Sequence, residues 1–149
     1  MRLVIQRVSS ASVTVDQQLV GAIGYGLLIL VGVEQGDEIR DVKYLAEKTL
    51  GLRIFEDEFG KMNLSAVDRK AELLAVSQFT LLGDARKGRR PSFIEAAEPS
   101  EANRLYEAYC ELLENRAGEV QRGIFQADMQ VALVNDGPVT ILLDSRKRF

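Results

Sequence analysis

The chain has 149 residues, of which 46% are hydrophobic, and its net charge is −3. This length and composition suit one domain with one sizeable core, and the charge excludes an overall basic nucleic-acid binder. Histidine is absent, which excludes a Ser-His-Asp or Cys-His site and the usual zinc site, so catalysis must use hydroxyls, carboxylates, Lys, Arg, backbone groups, a borrowed metal or the substrate.

The opening segment, Met1 to Val8, has only a short apolar run, which is unlike the h-region of a signal peptide. No stretch approaches ~18 consecutive apolar residues, so we expect no membrane span. Cys110 is the single cysteine, which excludes an internal disulfide and favours a reducing cytoplasm as the location. We expect Cys110 to be a core residue, because it lies in a helical pattern.

Alternating and continuous apolar runs predict the first strands of a sheet. In chain order these predicted strands cover residues 2–8, 11–15, 19–23, 27–33 and 52–56, followed by a turn into 62–64. Leu27 to Val33 is the most hydrophobic run, and we place it at the sheet centre. Apolar residues at three- and four-residue spacing predict a helix over about 38–51, with Asp37 as the N-cap.

The run from Leu73 to Leu82 is long enough for a buried strand, but Ser77, Gln78 and Thr80 interrupt it. A polar group buried there without a partner costs roughly 1–3 kcal/mol. Two explanations remain open at this point. The three polar side chains form a satisfied internal network, or the strand ends in a pocket where they face a ligand.

A polar loop, Gly83 to Pro91, follows this run and contains a dense basic cluster of Arg86, Lys87, Arg89 and Arg90. A second basic cluster, Arg146-Lys147-Arg148, lies near the end of the sequence. Such clusters are usually solvated surface, but together they make contact with phosphates a secondary hypothesis.

Beyond the basic loop, an apolar stripe predicts a second long helix. Its members are Ala102, Leu105, Tyr109 and Leu112. We expect Ser100 to cap this helix and Gly118 to end it. Two strands, at about 129–134 and 139–144, complete the chain. The elements together predict a single α/β domain over residues 1–149, with a mixed, largely antiparallel sheet and two main helices.

The joint between the last two strands is Asn135-Asp136-Gly137-Pro138. Asp-Gly is typical of a tight hairpin turn. Pro138 complicates this interpretation, because a proline at the entry of a strand removes a ladder donor. The composition describes a stiff tip with few side chains, which suits a turn or a probe that enters a neighbouring pocket.

The segments Ser77-Gln78-Phe79-Thr80-Leu81 and Asn135-Asp136-Gly137-Pro138-Val139-Thr140, together with the opening Met1 to Val8, resemble the D-aminoacyl-tRNA deacylase family. The resemblance covers essentially the whole chain. It implies a barrel-like sheet and a homodimer that hydrolyses the ester between a D-amino acid and the terminal adenosine of tRNA. It also implies activity on mischarged glycyl-tRNA, rejection of L-amino acids, and no metal or organic cofactor.

The same resemblance assigns roles to individual residues. It implies that Ser77, Gln78, Phe79 and Thr80 line the catalytic pocket, which holds the terminal adenosine and the aminoacyl carbonyl. It further implies that Met129, Gly137 and Pro138 contact the substrate, with a cis Gly137–Pro138 bond that enters the partner subunit's pocket. Each active site would then be built by two chains.

The residues leave the chemistry open between two mechanisms. Backbone N–H groups near Phe79 and Thr80 can form an oxyanion hole, with help from the ribose 2′-hydroxyl of tRNA. Alternatively, Thr80 is the nucleophile, although no base lies beside it in the sequence. Two other functions also remain open: a nucleic-acid-binding module without catalysis, and a hydroxyl-based hydrolase of small esters.

Overall fold

The structure, a computed structural model that describes residues 1–149, contains eight strands, three α-helices and one 3-10 helix. In chain order these are β1 (Arg2–Val15), β2 (Gln18–Ile23), β3 (Gly26–Gly32), α1 (Ile39–Gly51), β4 (Phe55–Glu56), β5 (Met62–Leu64), α2 (Ala66–Arg69), β6 (Glu72–Ser77), the 3-10 helix (Phe79–Leu82), α3 (Pro99–Ala117), β7 (Val120–Arg122) and β8 (Gln130–Asp144). The two long helices are the two predicted ones, and α2 is a single turn.

Six strands form one mixed sheet in the order β2-β1-β3-β6-β7, with β8 paired to β1. Strand β1 runs antiparallel to β2, β3 and β8, whereas β3, β6 and β7 are parallel to one another. Because β2 also approaches β6 and β7, the sheet is nearly closed into a barrel. The predicted α/β fold with a mixed, barrel-like sheet is therefore confirmed.

The sheet separates two clusters of buried side chains. One face packs against α1 and α3 and forms the main core, which contains Leu45, Tyr109 and Cys110. The other face turns inward and forms a smaller cluster, to which β3 contributes Leu28. Strand β3 is buried along almost its whole length because it contributes to both clusters, and its predicted central position is confirmed.

Two predictions of strand boundaries were wrong. The predicted strands 2–8 and 11–15 are one strand, because β8 pairs with β1 on both sides of the exposed Ser9-Ser10 step. The predicted strand 52–56 shortens to Phe55–Glu56, which pairs only with β5 in a separate hairpin.

Both predicted helix caps also lie elsewhere. Glu38 caps α1 by exchanging hydrogen bonds with Asp41, while Asp37 accepts hydrogen bonds from the Glu34 backbone N–H and from the amino group of Met1. Glu98 precedes α3 and Pro99 is its first residue, where the missing N–H of proline costs nothing. The predicted stop is confirmed, since Gly118 ends α3 with φ +88°. No helix has the length and apolar character needed to cross a membrane.

Candidate active site

A cavity lies beyond the carboxyl ends of the three parallel strands. Its volume is about 580 Å³, within the roughly 300–1,000 Å³ typical of small-molecule sites. The lining residues come from the end of β3, the end of β6, the start of α3 and the segment after β7: Val31, Val33, Val76, Ser77, Gln78, Phe79, Ala96, Ala97, Pro99, Ala102, Tyr106, Phe125, Gln126, Ala127, Asp128, Met129 and Val131. The carboxyl edge of parallel strands is a common ligand position, because the chain leaves the sheet there and opens a crevice.

The polar interruption in the predicted 73–82 strand lies at this cavity. Strand β6 ends at Ser77, and the backbone N–H of Gln78 donates to Val31 O at 2.7 Å before the chain turns into the 3-10 helix. We call residues Ser77–Thr80 the cavity wall. Ser77, Gln78 and Phe79 line the cavity, whereas Thr80 lies just outside the lining. The structure supports the second explanation for the interruption: strand β6 ends at a pocket, and Ser77 and Gln78 line it.

The cavity wall leaves two backbone N–H groups without an acceptor in the chain. Phe79 and Thr80 are the first residues of the 3-10 helix, so their N–H groups precede its first internal hydrogen bond. No side chain accepts from either group. Two donors side by side at the mouth of a cavity are suited to binding an oxygen atom that carries negative charge.

The side chain of Thr80 is exposed and already engaged. Its hydroxyl oxygen accepts a hydrogen bond from the Gln78 side-chain amide. No carboxylate or amine contacts this hydroxyl, so no group in the chain is positioned to remove its proton. The arrangement favours Thr80 as a residue that orients Gln78 over Thr80 as a nucleophile.

Several lining residues were missed from the sequence, and four of them lie in the segment Phe125–Met129 after β7. Of this segment, the resemblance assigned only Met129, which lines the cavity. Asp128 is the single carboxylate in the lining and is exposed. Tyr106 projects from α3 but donates its hydroxyl to Ala75 O at 2.9 Å, and burial raises its pKa. Tyr106 is therefore a structural group at neutral pH, and Asp128 is the only lining residue that can act as a base.

The predicted turn Asn135–Pro138 is not a hairpin tip. Both flanking segments pair with β1 as one strand, with Thr140 opposite Gln6 and Asn135 opposite Val8. Residues 136–139 therefore stand opposite Arg7 alone and form a protrusion of the strand. We call Asn135–Val139 the bulge. Gly137 and Pro138 are exposed, their peptide bond is cis, and neither lines the cavity of this chain.

Arg7 holds the bulge from beneath. This side chain is only 4% exposed, donates to Ile54 O at 2.7 Å, and forms an ion pair with Asp136 (Nε to Oδ2, 2.9 Å). Asn135 fixes the other side by donating to Arg7 O at 2.9 Å and Val139 O at 3.0 Å. Gly137 has φ +114°, and a Cβ there would lie 3.0 Å from Arg7 Nη2. The bulge is thus a fixed, convex element, and only glycine fits at position 137.

The two predicted basic clusters differ in their pairing. Arg146 and Arg148 form ion pairs with Glu34, Asp37 and Asp144, so the hypothesis that this cluster contacts phosphates loses its basis. In the loop, Arg86 makes two hydrogen bonds of 2.8 Å to Asp84 and lowers the pKa of that carboxyl to about 2.

Lys87, Arg89 and Arg90 are exposed and have no carboxylate within ion-pair distance. None of them lines the cavity, whereas Arg86 lies beside a second, more open cavity of about 570 Å³. The basic loop therefore presents three uncompensated cations outside the candidate active site.

A sequence model of the family described as D-Tyr-tRNA(Tyr) deacylase matches residues 4–144. The chain belongs to this family. It is 58% identical to a D-aminoacyl-tRNA deacylase of Anaeromyxobacter dehalogenans, with 100% of both chains covered. It is 62% identical to a D-aminoacyl-tRNA deacylase of Myxococcus xanthus, with 97% of this chain and 95% of the relative covered. The predicted membership in the deacylase family is confirmed.

Two solved structures share the fold. One, described as a c-Myc DNA unwinding element binding protein, superposes with a TM-score of 0.91 at 41% identity over 97% of this chain and 98% of that chain. The other, a probable eukaryotic D-amino acid tRNA deacylase, gives a TM-score of 0.83 over 95% and 97% of the two chains. At 16% identity the latter shows the fold alone.

Membership in the deacylase family identifies the chain as an enzyme. The alternatives of a non-catalytic nucleic-acid-binding module and a small-ester hydrolase are therefore set aside. The cavity wall is the natural place for the chemistry, because it combines a concave surface with free backbone donors.

Proposed function

We propose that the chain hydrolyses the ester between a D-amino acid and the terminal adenosine of tRNA, and that it also removes glycine mischarged on tRNA(Ala). The observation that carries the proposal is the pair of free backbone N–H groups at Phe79 and Thr80, beside a cavity of suitable size. The apolar lining suits the adenine ring and the amino-acid side chain. Ser77 and Gln78 add polar groups that can orient the ribose and the ester.

The hydrolysis uses backbone polarisation. The ester carbonyl oxygen binds the N–H groups of Phe79 and Thr80, which stabilise the negative charge that develops as water attacks the carbonyl carbon. The ribose 2′-hydroxyl of the substrate lies beside the ester and assists proton transfer. When the tetrahedral intermediate collapses, the bond to the ribose oxygen breaks, that oxygen receives a proton, and the amino acid leaves.

We further propose that the enzyme is a homodimer in which the bulge of each chain enters the partner's cavity. The bulge is convex, Gly137 and Pro138 on it are exposed, and Arg7 holds it from below. A segment that enters a partner's cavity needs this exposure and this fixed shape. The strand that carries it also exposes Leu133, Val134 and Leu142, and pairs with no strand other than β1. An apolar face on an edge strand is typical of a surface that another chain covers.

This arrangement provides a mechanism for the rejection of L-amino acids. D and L esters differ in the direction in which the side chain leaves the α-carbon, so a rigid obstacle discriminates more strongly than attraction does. Gly137 and Pro138 of the partner's bulge would occupy the position that an L side chain requires. Glycine has no side chain and passes this filter, in accord with the proposed activity on glycyl-tRNA.

The basic loop is proposed to bind tRNA through phosphates. Phosphate contacts act on every tRNA whatever amino acid it carries, and each contact contributes to the salt dependence of binding. Arg89→Gln should weaken tRNA binding and flatten its salt dependence. Arg86→Gln is the matched control with a smaller expected effect, because Asp84 already compensates Arg86. A change confined to the preference between D and L esters would place the loop in the cavity and contradict this assignment.

The decisive test of the function is hydrolysis of D-tyrosyl-tRNA, L-tyrosyl-tRNA and glycyl-tRNA(Ala) by the purified enzyme. We expect loss of the D and glycyl esters and persistence of the L ester. Equal loss of D and L esters would contradict chiral selection, and persistence of all three would contradict the proposed activity. Because aminoacyl-tRNA is the substrate, we also propose a cytoplasmic location.

The assembly is tested by dilution. If each site needs the partner's bulge, the enzyme should sediment as a two-fold dimer at working concentration. Activity per chain should then fall together with the dimer fraction on dilution. A monomer with full activity would contradict the shared site.

A further inference from the structure

Two phenylalanine rings stand together at the mouth of the cavity, and both are exposed. Phe79 belongs to the cavity wall and is 59% exposed, while Phe93 lies just outside the lining and is 37% exposed. Their ring centroids are 5.2 Å apart at 69°, an edge-to-face contact. Aromatic side chains are usually well buried, so a pair left open beside a binding cavity indicates a surface that a ligand covers.

The backbone fixes the position of Phe93. Its carbonyl oxygen accepts from the Ala96 N–H at 3.0 Å. On the other side, a Cβ at position 83 would lie 2.9 Å from Phe93 Cε1, so Gly83 allows the ring to lie close to the chain. Asp84 and Ser92 exchange backbone hydrogen bonds of 2.8 and 2.9 Å directly beside this point. Phe93 is therefore a rigid residue at the base of the basic loop.

The basic loop adjoins Phe93, because Asp84 and Ser92 close the loop directly before it in the chain. Between Asp84 and Ser92 it carries Lys87, Arg89 and Arg90, the three exposed cations that have no carboxylate partner. Phe79 belongs to the cavity wall and contacts Phe93, and Phe93 directly follows the loop that carries the cations. Aromatic rings followed by cations are the recurring chemistry of single-stranded nucleic-acid binding, because bases stack on rings and phosphates pair with Lys and Arg.

We propose that Phe93 stacks the base of the nucleotide that precedes the terminal adenosine, and that Lys87, Arg89 and Arg90 bind the phosphates further along the same strand. The inference rests on the proposed function, in which the terminal adenosine occupies the cavity. It adds a subsite for the single-stranded 3′ end of the tRNA, with Phe93 as its central residue. Because any base can stack on a ring, this subsite adds affinity for every tRNA. Discrimination between D and L esters takes place in the cavity.

The test compares Phe93→Ala and Phe93→Trp on two substrates, D-tyrosyl-tRNA and D-tyrosyl-adenosine. The adenosine ester lacks the nucleotide that Phe93 would stack. Phe93→Ala should raise KM for D-tyrosyl-tRNA roughly tenfold, as expected for the loss of one stacked base, with kcat nearly unchanged. KM of the Phe93→Ala variant for D-tyrosyl-adenosine should equal that of the unaltered enzyme within experimental error. KM of the Phe93→Trp variant for D-tyrosyl-tRNA should be close to that of the unaltered enzyme. Phe59→Ala, a change at an exposed ring on the β4–β5 hairpin, is the matched control and should alter neither KM.

An abasic site at the penultimate nucleotide identifies the stacked base. This tRNA should bind the unaltered enzyme about as weakly as normal tRNA binds the Phe93→Ala variant, and combining the two changes should cause no further loss. Additive losses, or an equal effect of Phe93→Ala on both esters, would overturn the proposal. A shift of the Phe93→Ala variant from dimer to monomer in sedimentation would also overturn it, because Phe93 would then belong to a contact between subunits.

The experiment separates this inference from the proposed function. If the unaltered enzyme hydrolyses neither ester, the proposed function fails. Titrations with uncharged tRNA, normal and abasic, still decide the stacking, because they measure binding without hydrolysis. Equal affinities of the unaltered enzyme for the two uncharged tRNAs would overturn the subsite.

Discussion

The cavity wall and the bulge both interrupt apolar strands with polar residues, but they have opposite shapes. The cavity wall ends its strand, is recessed, and leaves the N–H groups of Phe79 and Thr80 free. The bulge protrudes, and strand β8 continues beyond it. Its polar side chains, Asn135 and Asp136, form a hydrogen bond and an ion pair within the chain. One region therefore offers chemical groups, and the other offers a fixed surface.

The two regions do not meet within one chain, since no bulge residue lines the cavity. A polar interruption of a strand thus identifies a special site without revealing its role. The role depends on whether the backbone groups stay free or are bound. In the proposed dimer, the recessed region would carry out catalysis and the protruding region would exclude L esters from the partner's cavity.

The largest expected effect comes from removing a backbone donor of the cavity wall. Thr80→Pro deletes one N–H, and proline is tolerated in the first turn of a helix, so the fold should persist. Loss of one oxyanion donor typically lowers kcat by roughly 10²–10³-fold, and we expect a loss of that size. Single-turnover hydrolysis of D-tyrosyl-tRNA measures it, with circular dichroism as the check on folding. A folded Thr80→Pro variant with nearly full activity would remove the backbone from the mechanism.

A slightly smaller effect should follow from displacing the bulge. Gly137→Ala introduces a Cβ that would lie 2.9 Å from Val139 Cγ2 and 3.0 Å from Arg7 Nη2, at a positive φ that alanine disfavours. A shift of about 1 Å at a reacting geometry can cost roughly 10²-fold in rate, and we expect a loss of about this size in hydrolysis of D-tyrosyl-tRNA.

The matched control for the bulge is Gly60→Ala. Gly60 also has a positive φ, of +71°, but nothing lies within 4 Å of a Cβ built there. Gly60→Ala should lose stability only through the unfavourable φ, without a steric clash, and its activity and selectivity should remain. If both variants lose activity equally, backbone strain explains the effect and the bulge has no special role.

A small effect is expected from the carboxylate in the cavity. If Asp128 were the general base, Asp128→Asn would lower kcat by roughly 10²–10⁴-fold and remove a limb of the pH–rate profile. The backbone mechanism predicts that Asp128→Asn changes kcat less than about threefold and leaves the shape of the profile unchanged. Measuring kcat from pH 5 to 9 on both proteins distinguishes the two mechanisms.

The smallest effect should come from the Thr80 hydroxyl itself. Thr80→Ala keeps the backbone N–H and removes only the acceptor that orients Gln78, so most of the rate should remain. A nucleophile changed to alanine would lose activity by orders of magnitude. An acyl group trapped on Thr80 in the unaltered enzyme would show that the hydroxyl attacks.

The sequence predicted those features that depend on one segment of the chain. A continuous apolar run located β3 and apolar periodicity located both long helices, whereas Ser77, Gln78 and Thr80 left open whether β6 continues as a buried strand or ends in a pocket. The apolar neighbours of Cys110 predicted its burial in the main core, which is confirmed.

Features that depend on two distant segments were missed. The bulge was predicted as the joint between two strands, either a turn or a probe, because only the pairing of β8 with β1 on both sides reveals a continuous strand. Asp128 lies in an irregular segment after β7, and only the parallel pairing of β7 with β6 brings that segment to the cavity. The ion pairs that compensate Arg146 and Arg148 involve Glu34, more than 100 residues away, and no local pattern predicts them.

Subunit mixing tests the central claim, that the cavity wall of one chain works with the bulge of the other. Thr80→Pro and Gly137→Ala homodimers should each be nearly inactive, since every site has one defect. When the two variants are expressed together, random pairing makes half of the dimers mixed, and each mixed dimer has one site with an intact wall and an intact bulge. We expect recovery of about a quarter of the unaltered activity on D-tyrosyl-tRNA. No recovery in verified mixed dimers would mean that both regions act within one chain, and the shared site would be wrong.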